Sequence, residues 1–452
     1  MTPRTPILST ISALTRASTP PPIHPSSHRA TALPWAQSFW RVAVVAATLV
    51  LARPAQAGED DWLRWLPAPA QAQQALRESV IAQQAQARRQ AQQARADAIA
   101  AGSAEFSVRT AQQQRRLPLS QERFSETSVA LERPIRAWGK AGLDAALAER
   151  TREVAEIEQA DALHEASRAL IEAWFAHWQA LGDLRLSQQQ WRWAEQLTRQ
   201  AQARARLGEV SRLDLSLAQA DLQRAQAQVL QAQARLTQVR AQLSALYPSL
   251  PWHEDWPKEG DLPPLNDLAR WRAHYLSHHH ELRLMQAQWR QLQQQAERWD
   301  RERWPDPTVG WFNLRERDGS ERITGVSVSV ALPGAARQAQ AQAAYAEALA
   351  AEHRWRLAEQ QLGAQFDGLV ATLQANVQAS QNLSEAAQAQ SDAAEKAAKA
   401  YALGEGSMTD LIQIQRVAAE QRREAQRMQL TALAQWVSFQ LDLHLLWDLD
   451  EL

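Results

Sequence analysis

The chain has 452 residues with 49 Lys+Arg against 50 Asp+Glu, a formal net charge of −1, which excludes a generally basic nucleic-acid binder. Cysteine is absent, so there is no disulfide framework, thiol nucleophile, zinc–thiolate site or lipid-modified N-terminal cysteine. The mean hydropathy of −0.47 is too polar for a bundle of membrane helices. Glycine (15) and proline (20) are scarce, and Ala and Gln fill long stretches, which points to long helices with a narrow apolar seam.

Residues 1–40 are rich in Pro, Ser and Thr and read as an unstructured leader. Arg41 then precedes an apolar run over 42–51, and Ala55-Gln56-Ala57 follows. A charged flank, a short apolar region and an A-x-A site predict a secretory signal peptide over 1–57, with the mature chain starting near Gly58. The apolar run is too short to span a bilayer, and no other segment offers a transmembrane helix. The A-x-A site favours export over a buried apolar helix, and an exported chain without cysteine fits a bacterial periplasm or outer membrane.

The mature chain repeats itself. Leu207-Gly208-Glu209-Val210-Ser211-Arg212-Leu213-Asp214-Leu215 returns as Leu403-Gly404-Glu405-Gly406-Ser407-Met408-Thr409-Asp410-Leu411, an offset of 196 from Gly208 to Gly404. Val129 to Pro134 returns as Val328 to Pro333, an offset of 199. The expected organisation is a first repeat over 58–252, a linker over 253–273, a second repeat over 274–447 and a short tail over 448–452.

Each repeat has one grammar. A helix is expected over 70–101 and again over 274–303. Two strands follow, over 106–110 and 123–131 in the first repeat and over 308–315 and 322–332 in the second. Val326, Val328, Val330 and Leu332 alternate with smaller or polar residues, so one face is apolar. The polar loop 316–321 holds Asp318-Gly319, a turn signal, and the polar stretch 112–122 reads as its longer counterpart. Long helices over 139–207 and 335–403 come next, uninterrupted by proline and roughly 100 Å each. Shorter helices return after the Leu-Gly-Glu breaks, the first over 213–247 and roughly 50 Å long. Two half-length helices therefore match one long one, which describes a rod.

The seam has heptad spacing. Leu215, Leu222, Val229, Leu236 and Leu243 step by seven, with Ala218, Ala225, Ala232, Val239 and Leu246 three residues behind. Leu411, Ala418, Ala425, Ala432, Phe439 and Leu446 repeat the step. Four strands are too few to close, whereas a bilayer demands closure. Three copies would supply about twelve strands, a workable barrel. Strands in a membrane therefore imply a trimer, whose chains together form one hollow tube.

Tyr401-Ala402-Leu403-Gly404-Glu405-Gly406-Ser407-Met408-Thr409-Asp410-Leu411 and its first-repeat counterpart resemble the helix-turn-helix tips of TolC-type outer-membrane efflux proteins, including the heavy-metal efflux subgroup. The resemblance covers the chain from about Ala70 to Trp447. It implies a mainly α fold with a small β part: a long coiled-coil α-barrel whose four strands per chain complete a trimeric 12-strand transmembrane β-barrel in outer-membrane lipid. It also implies a passive exit duct in the outer membrane, with its helical part in the periplasm. Its partners would be a periplasmic adaptor and an inner-membrane pump of RND or ABC type, with no nucleic acid and no cofactor. By residue, Asp410 corresponds to a periplasmic constriction, and Asp214 and Tyr401 to a hydrogen-bonded tip latch. Leu207, Gly208, Leu403 and Gly404 correspond to adaptor-docking tip turns. Gly406 stands where the family often has a latching arginine, Leu213 replaces a polar latch residue, and Gln413 replaces a second ring aspartate.

Asp214 and Asp410 also suit simple helix-start roles, and Gly208 and Gly404 suit helix ends. His278-His279-His280, with His274 nearby, reads as an exposed helix start, because consecutive helical histidines diverge; no metal site is expected. Trp174, Trp178, Trp191, Trp193, Trp289, Trp299 and Trp355 fall on helices and are expected to pack, while Trp138 and Trp311 lie near strands as candidate interfacial anchors. Gly139-Lys140 lacks the context of a phosphate loop. No nucleophile–base pair or paired-carboxylate signature points to an enzyme. A periplasmic adaptor and a structural coiled-coil scaffold are the rival readings, but an adaptor would carry one hairpin and a scaffold would need no strands.

Overall fold

The computed structural model describes residues 61–251, 255–256, 262–263 and 265–447. The expected signal peptide and the short C-terminal tail lie outside the described residues. The first series of elements is α1 (Pro69–Glu78), α2 (Val80–Ala101), β1 (Ser107–Arg116), β2 (Arg123–Pro134), α3 (Lys140–Arg206) and α4 (Arg212–Leu246). The second is α5 (Leu268–His278), α6 (His280–Glu302), β3 (Thr308–Glu316), β4 (Glu321–Ser329), α7 (Ala335–Ala402) and α8 (Met408–Asp442). The same order of elements occurs twice. With 67 and 68 residues, α3 and α7 are each about 100 Å long. No described helix is long and apolar enough to cross a membrane.

Two helices expected to be continuous are broken. Ser79 leaves the helical region at ψ 147° and its Oγ accepts from the Ala82 N–H, so a residue suited to capping starts a new helix within the run. His279 does the same at ψ 120° between α5 and α6, without a side-chain cap. Strand β1 extends through Gln112, Gln113 and Gln114, a stretch that polarity alone marks as loop. Pairing with β2 in register from Ser107↔Glu132 to Arg116↔Arg123 carries it, with Gln113 donating to Glu126 at 2.7 Å. Strand β4 stops at Ser329, short of the alternating Val330 and Leu332.

The seam packs as its spacing demands. In α4, Ala218, Ala225, Leu236, Val239 and Leu243 are buried, while Leu246 at the helix end is exposed. Tyr247 is buried in its place, its hydroxyl donating to the Ala166 carbonyl at 3.0 Å. Burial pushes that hydroxyl up to about 12. All six heptad positions from Leu411 to Leu446 are buried. Helix α3 packs on α2, α4, α6 and α8, and α7 packs on α6 and α8. Small alanines at the seam let backbones approach closely. The largest core lies midway along the rods. There the fully buried Trp174 and Trp178 both donate indole N–H groups to the Trp65 carbonyl, at 2.6 and 2.9 Å. Trp289 and Trp355 stack at 5.3 Å. These tryptophans are packing residues.

An ionic joint ties the helices to the sheet. The side chain of Lys140, at the start of α3, is fully buried between Glu302 at 3.2 Å and Asp306 at 2.9 Å. Arg298 bonds both Asp144 and Glu302, Arg136 reaches Asp144 at 3.1 Å, and Arg337 reaches Glu302 at 3.0 Å. Asp306 also accepts from the Ala137 N–H at 3.1 Å. Burial alone would raise the Glu302 carboxyl, but hydrogen bonds from Arg298 and Lys140 hold it below its ordinary value. A buried lysine stripped of partners is costly, so these carboxylates are obligatory companions. Replacing Glu302→Gln is expected to destabilise the chain by about 2 kcal/mol in thermal unfolding followed by circular dichroism. A carboxyl held below its ordinary value stabilises the fold above that value and loses the contribution as pH falls. The wild type should therefore melt earlier as pH drops below 4.5, and the Gln variant should lose that part of the acid sensitivity.

Candidate functional site

The α3–α4 and α7–α8 turns form one end of the rods and the sheet forms the other, because β1–β2 and β3–β4 each join the opposite helix termini. The two turns are built alike. Gly208 and Gly404 sit at φ +74° and +83°, where a side chain would be strained. The Glu209 N–H bonds Arg204 O and the Gly208 N–H bonds Ala205 O; Glu405 and Gly404 repeat this with Ala400 O and Tyr401 O. Both are Schellman closures that satisfy the last carbonyls of the long helices. The next helices open on Ser211 and Ser407, whose Oγ atoms accept from the Asp214 and Asp410 N–H groups at 3.0 Å. Each hydroxyl in turn donates to its aspartate, at 2.8 and 2.7 Å. The helix-start reading of Asp214 and Asp410 is therefore realised, and Asp410 remains exposed at the tip.

Leu207, Leu403 and Leu213 are 74%, 76% and 67% exposed, so both turns present apolar side chains to their surroundings. Just behind them Leu197, Ala201, Ala218, Met408, Leu411 and Ile412 form a core that joins the two hairpins. Thr198 Oγ1 donates across it to the Ala218 carbonyl at 3.0 Å. Buried Asp221 accepts from Arg224 and Arg416, bonding α4 to α8. Tyr401 lies at the edge of this core with the Arg204 guanidinium 5.5 Å from its ring centre. Its hydroxyl has no hydrogen-bond partner among the described residues, and the Asp214 carboxylate is engaged by Ser211. Burial, with Asp214 adding to it against Arg204, pushes the Tyr401 hydroxyl up. A single chain thus places Tyr401 near Asp214 without bonding them.

At the opposite end the sheet runs β1-β2-β3-β4, all antiparallel. Among the described residues the outer edges of β1 and β4 pair with nothing. Val108, Leu131, Trp311 and Val326 lie side by side across all four strands, and each is exposed. Val129, Val309 and Val328 extend the same apolar face. The other face is charged: Arg115 bonds Glu126 at 2.8 Å and reaches Glu316 at 3.5 Å, and Arg109 reaches Glu132 at 3.4 Å. Phe312 covers Gly325 on that face, so closely that a Cβ there would lie 2.5 Å from the ring. Trp311 belongs to the apolar row, as an interfacial anchor would, and Trp138 is exposed just below the sheet. Strands of nine to twelve residues suffice to cross an apolar layer when tilted.

The sequence reading missed two groupings. The ionic joint is one; its charges come from segments far apart, and only Gly139-Lys140 stood out locally. The other involves the histidine run, which straddles the α5–α6 break. His278 is exposed, His279 is half-buried and His280 is buried, so the expected exposed helix start holds for the first alone. Burial pushes His279 down to about 4.

The chain matches no protein-family model and no curated protein. Solved structures do share its fold. The outer membrane protein VceC from Vibrio cholerae is 17% identical, with a TM-score of 0.65 over 86% of this chain and 99% of that one. The outer-membrane channel OprN is 16% identical, with a TM-score of 0.69 over 86% and 93%. The open state of the MtrE outer membrane channel of Neisseria gonorrhoeae is 15% identical, with a TM-score of 0.65 over 84% and 90%. The chain therefore has the fold of the outer-membrane channels, mainly α with a small sheet. Substituting Ser407→Ala should remove the cap of α8 at a cost of about 1 kcal/mol. Local hydrogen exchange at the Asp410 amide should then quicken by about fivefold, with the mid-rod core unchanged.

Proposed function

We propose that this chain is a subunit of an outer-membrane channel, a passive exit duct of a tripartite efflux or type I secretion assembly. The observation that carries this reading is the four-stranded sheet, with an apolar row on one face and Arg–Glu pairs on the other and with both edges open among the described residues, mounted on helices about 100 Å long. Open edges inside a bilayer would leave backbone groups unsatisfied. Three chains joining edge to edge supply twelve strands, with the Val108–Leu131–Trp311–Val326 face toward lipid and the Arg–Glu face toward a lumen. The shared fold with outer-membrane channels supports the same arrangement.

The tips would be the gated end. Three copies of exposed Asp410 around one axis would crowd negative charge and favour cations. Tyr401 and Asp214, already near one another within one chain, would form the hydrogen bond that latches neighbouring helices in the closed state. The turns at Leu207-Gly208 and Leu403-Gly404 would receive a periplasmic adaptor, with an inner-membrane pump of RND or ABC type supplying energy. A lone adaptor or a scaffold is less well supported, since the hairpin-bearing unit occurs twice.

Outer-membrane fractions are expected to yield a heat-sensitive trimer by light scattering in detergent; a monomer or a water-soluble dimer would remove the reading. In planar bilayers, Asp410→Ala is expected to lower cation selectivity, and Tyr401→Phe with Asp214→Ala to raise conductance of the closed channel. Unchanged selectivity in the first and unchanged conductance in the second would remove those residues from the constriction and the latch.

A further inference from the structure

Three histidines distant in sequence converge beside the middle of the rods. His164 comes from α3, His280 is the first residue of α6, and His444 follows the last turn of α8. One ring nitrogen from each lies within 4.8 Å of the others. Their ring centres are 5.2, 5.5 and 4.7 Å apart in the pairs 164–280, 164–444 and 280–444. Helical spacing does not produce this cluster. It depends on the break at His279, which turns His280 inward, and on the backbone of His444, held at φ +54°. A non-glycine residue stays in that region when its surroundings fix it.

The surroundings are anionic. The rings line a pocket of about 180 Å³ together with Asp161, Glu165, His279, Glu281 and Asp442. Asp442 is almost fully buried and accepts from Arg168 at 2.6 Å, and that same oxygen lies 3.2 Å from His164 Nε2. Four carboxylates thus face the pocket against the one guanidinium that Asp442 engages. Burial first, and then repulsion from Glu165, pushes the Asp161 carboxyl up.

We infer that His164, His280 and His444 form a binding site for a divalent transition-metal ion of borderline softness, with Asp442 as the supporting carboxylate. Imidazole suits Zn²⁺, Co²⁺, Ni²⁺ and Cu²⁺, and a site without thiolate does not favour softer ions. Tetrahedral coordination at 2.0–2.1 Å needs nitrogens about 3.3 Å apart, so the rings have to close by roughly 1.5 Å, within reach of side-chain rotation. A carboxylate in contact with one ring is the usual companion of a metal-bound histidine, fixing its tautomer or completing the shell. The ion would clamp α3, the start of α6 and the end of α8 into one unit. The inference rests on the fold alone and stands apart from the duct reading. His353, exposed on α7, is the natural control.

The test uses the full-length chain without a polyhistidine tag, stripped of metal in detergent and titrated with Co²⁺ alone, followed by Zn²⁺. The expected result is one Co²⁺ per chain, with visible bands of four- or five-coordinate intensity that Zn²⁺ abolishes, and a raised melting temperature. His164→Gln and His444→Gln are each expected to weaken binding by about 100-fold with unchanged circular dichroism, while His353→Gln leaves it intact. Absence of saturable binding, or binding unchanged in both variants, overturns the proposal. X-ray absorption of the Zn²⁺-loaded wild type gives an answer that no variant's folding affects: three imidazoles support the site, and a shell of oxygens or of one imidazole overturns it. Channel conductance is not a readout, so failure here leaves the duct reading standing.

Discussion

Backbone pairing is the constraint on which this architecture turns. Four strands satisfy one another internally, but β1 and β4 each present a row of N–H and C=O groups outward. Exposed edges of this length invite another strand, and a hydrocarbon layer would make that pairing compulsory. The alternation of side chains adds direction: the valines, Leu131 and Trp311 lie on one face and the Arg–Glu pairs on the other. Neither face closes over a core of its own, so the sheet leans on its attachment to the helices and on whatever meets its edges.

That attachment is the ionic joint. Lys140 begins α3 just after the chain leaves β2, and its two carboxylates flank the segment that leads from α6 into β3. The joint therefore bonds the root of one hairpin to the root of the other. Arg337, near the start of α7, adds the third root through Glu302. Apolar packing would hold such a junction without fixing its orientation. Paired charges around one buried lysine hold it in one geometry, which suits a place where the chain changes from rods to sheet.

Much of this was legible beforehand, for reasons that differ by element. The rods were legible because proline is missing over a hundred-residue interval and the Leu/Ala seam keeps a seven-residue step; Ala218, Leu236 and the six heptad positions from Leu411 to Leu446 are buried accordingly. The tip turns were legible because Gly208 and Gly404 carry the only backbone geometry a Schellman closure accepts there, followed three residues later by Ser and then Asp. Strand β1 was half-visible, since its glutamines owe their conformation to a neighbour 11 residues or more away, not to their own propensity. Ser79 and His279 break helices whose periodicity carries straight through. The convergence of His164, His280 and His444 left no local trace at all, because each comes from a different element, and consecutive histidines pointed attention to the wrong partners. Tyr401 and Asp214 were paired from resemblance, and the isolated chain leaves the pair unmade.

The charged face of the sheet has a consequence for permeation. Arg115 sits between Glu126 and Glu316, and Arg109 beside Glu132, so two arginines meet three glutamates within a few ångströms and one negative charge per chain is left over. Opposed charges that close together project little field across an aqueous bore wider than a Debye length. If that face lines the bore, the surplus is one negative charge per subunit, the same sign as the exposed Asp410 at the opposite end, so both ends of the conduit would lean toward cations.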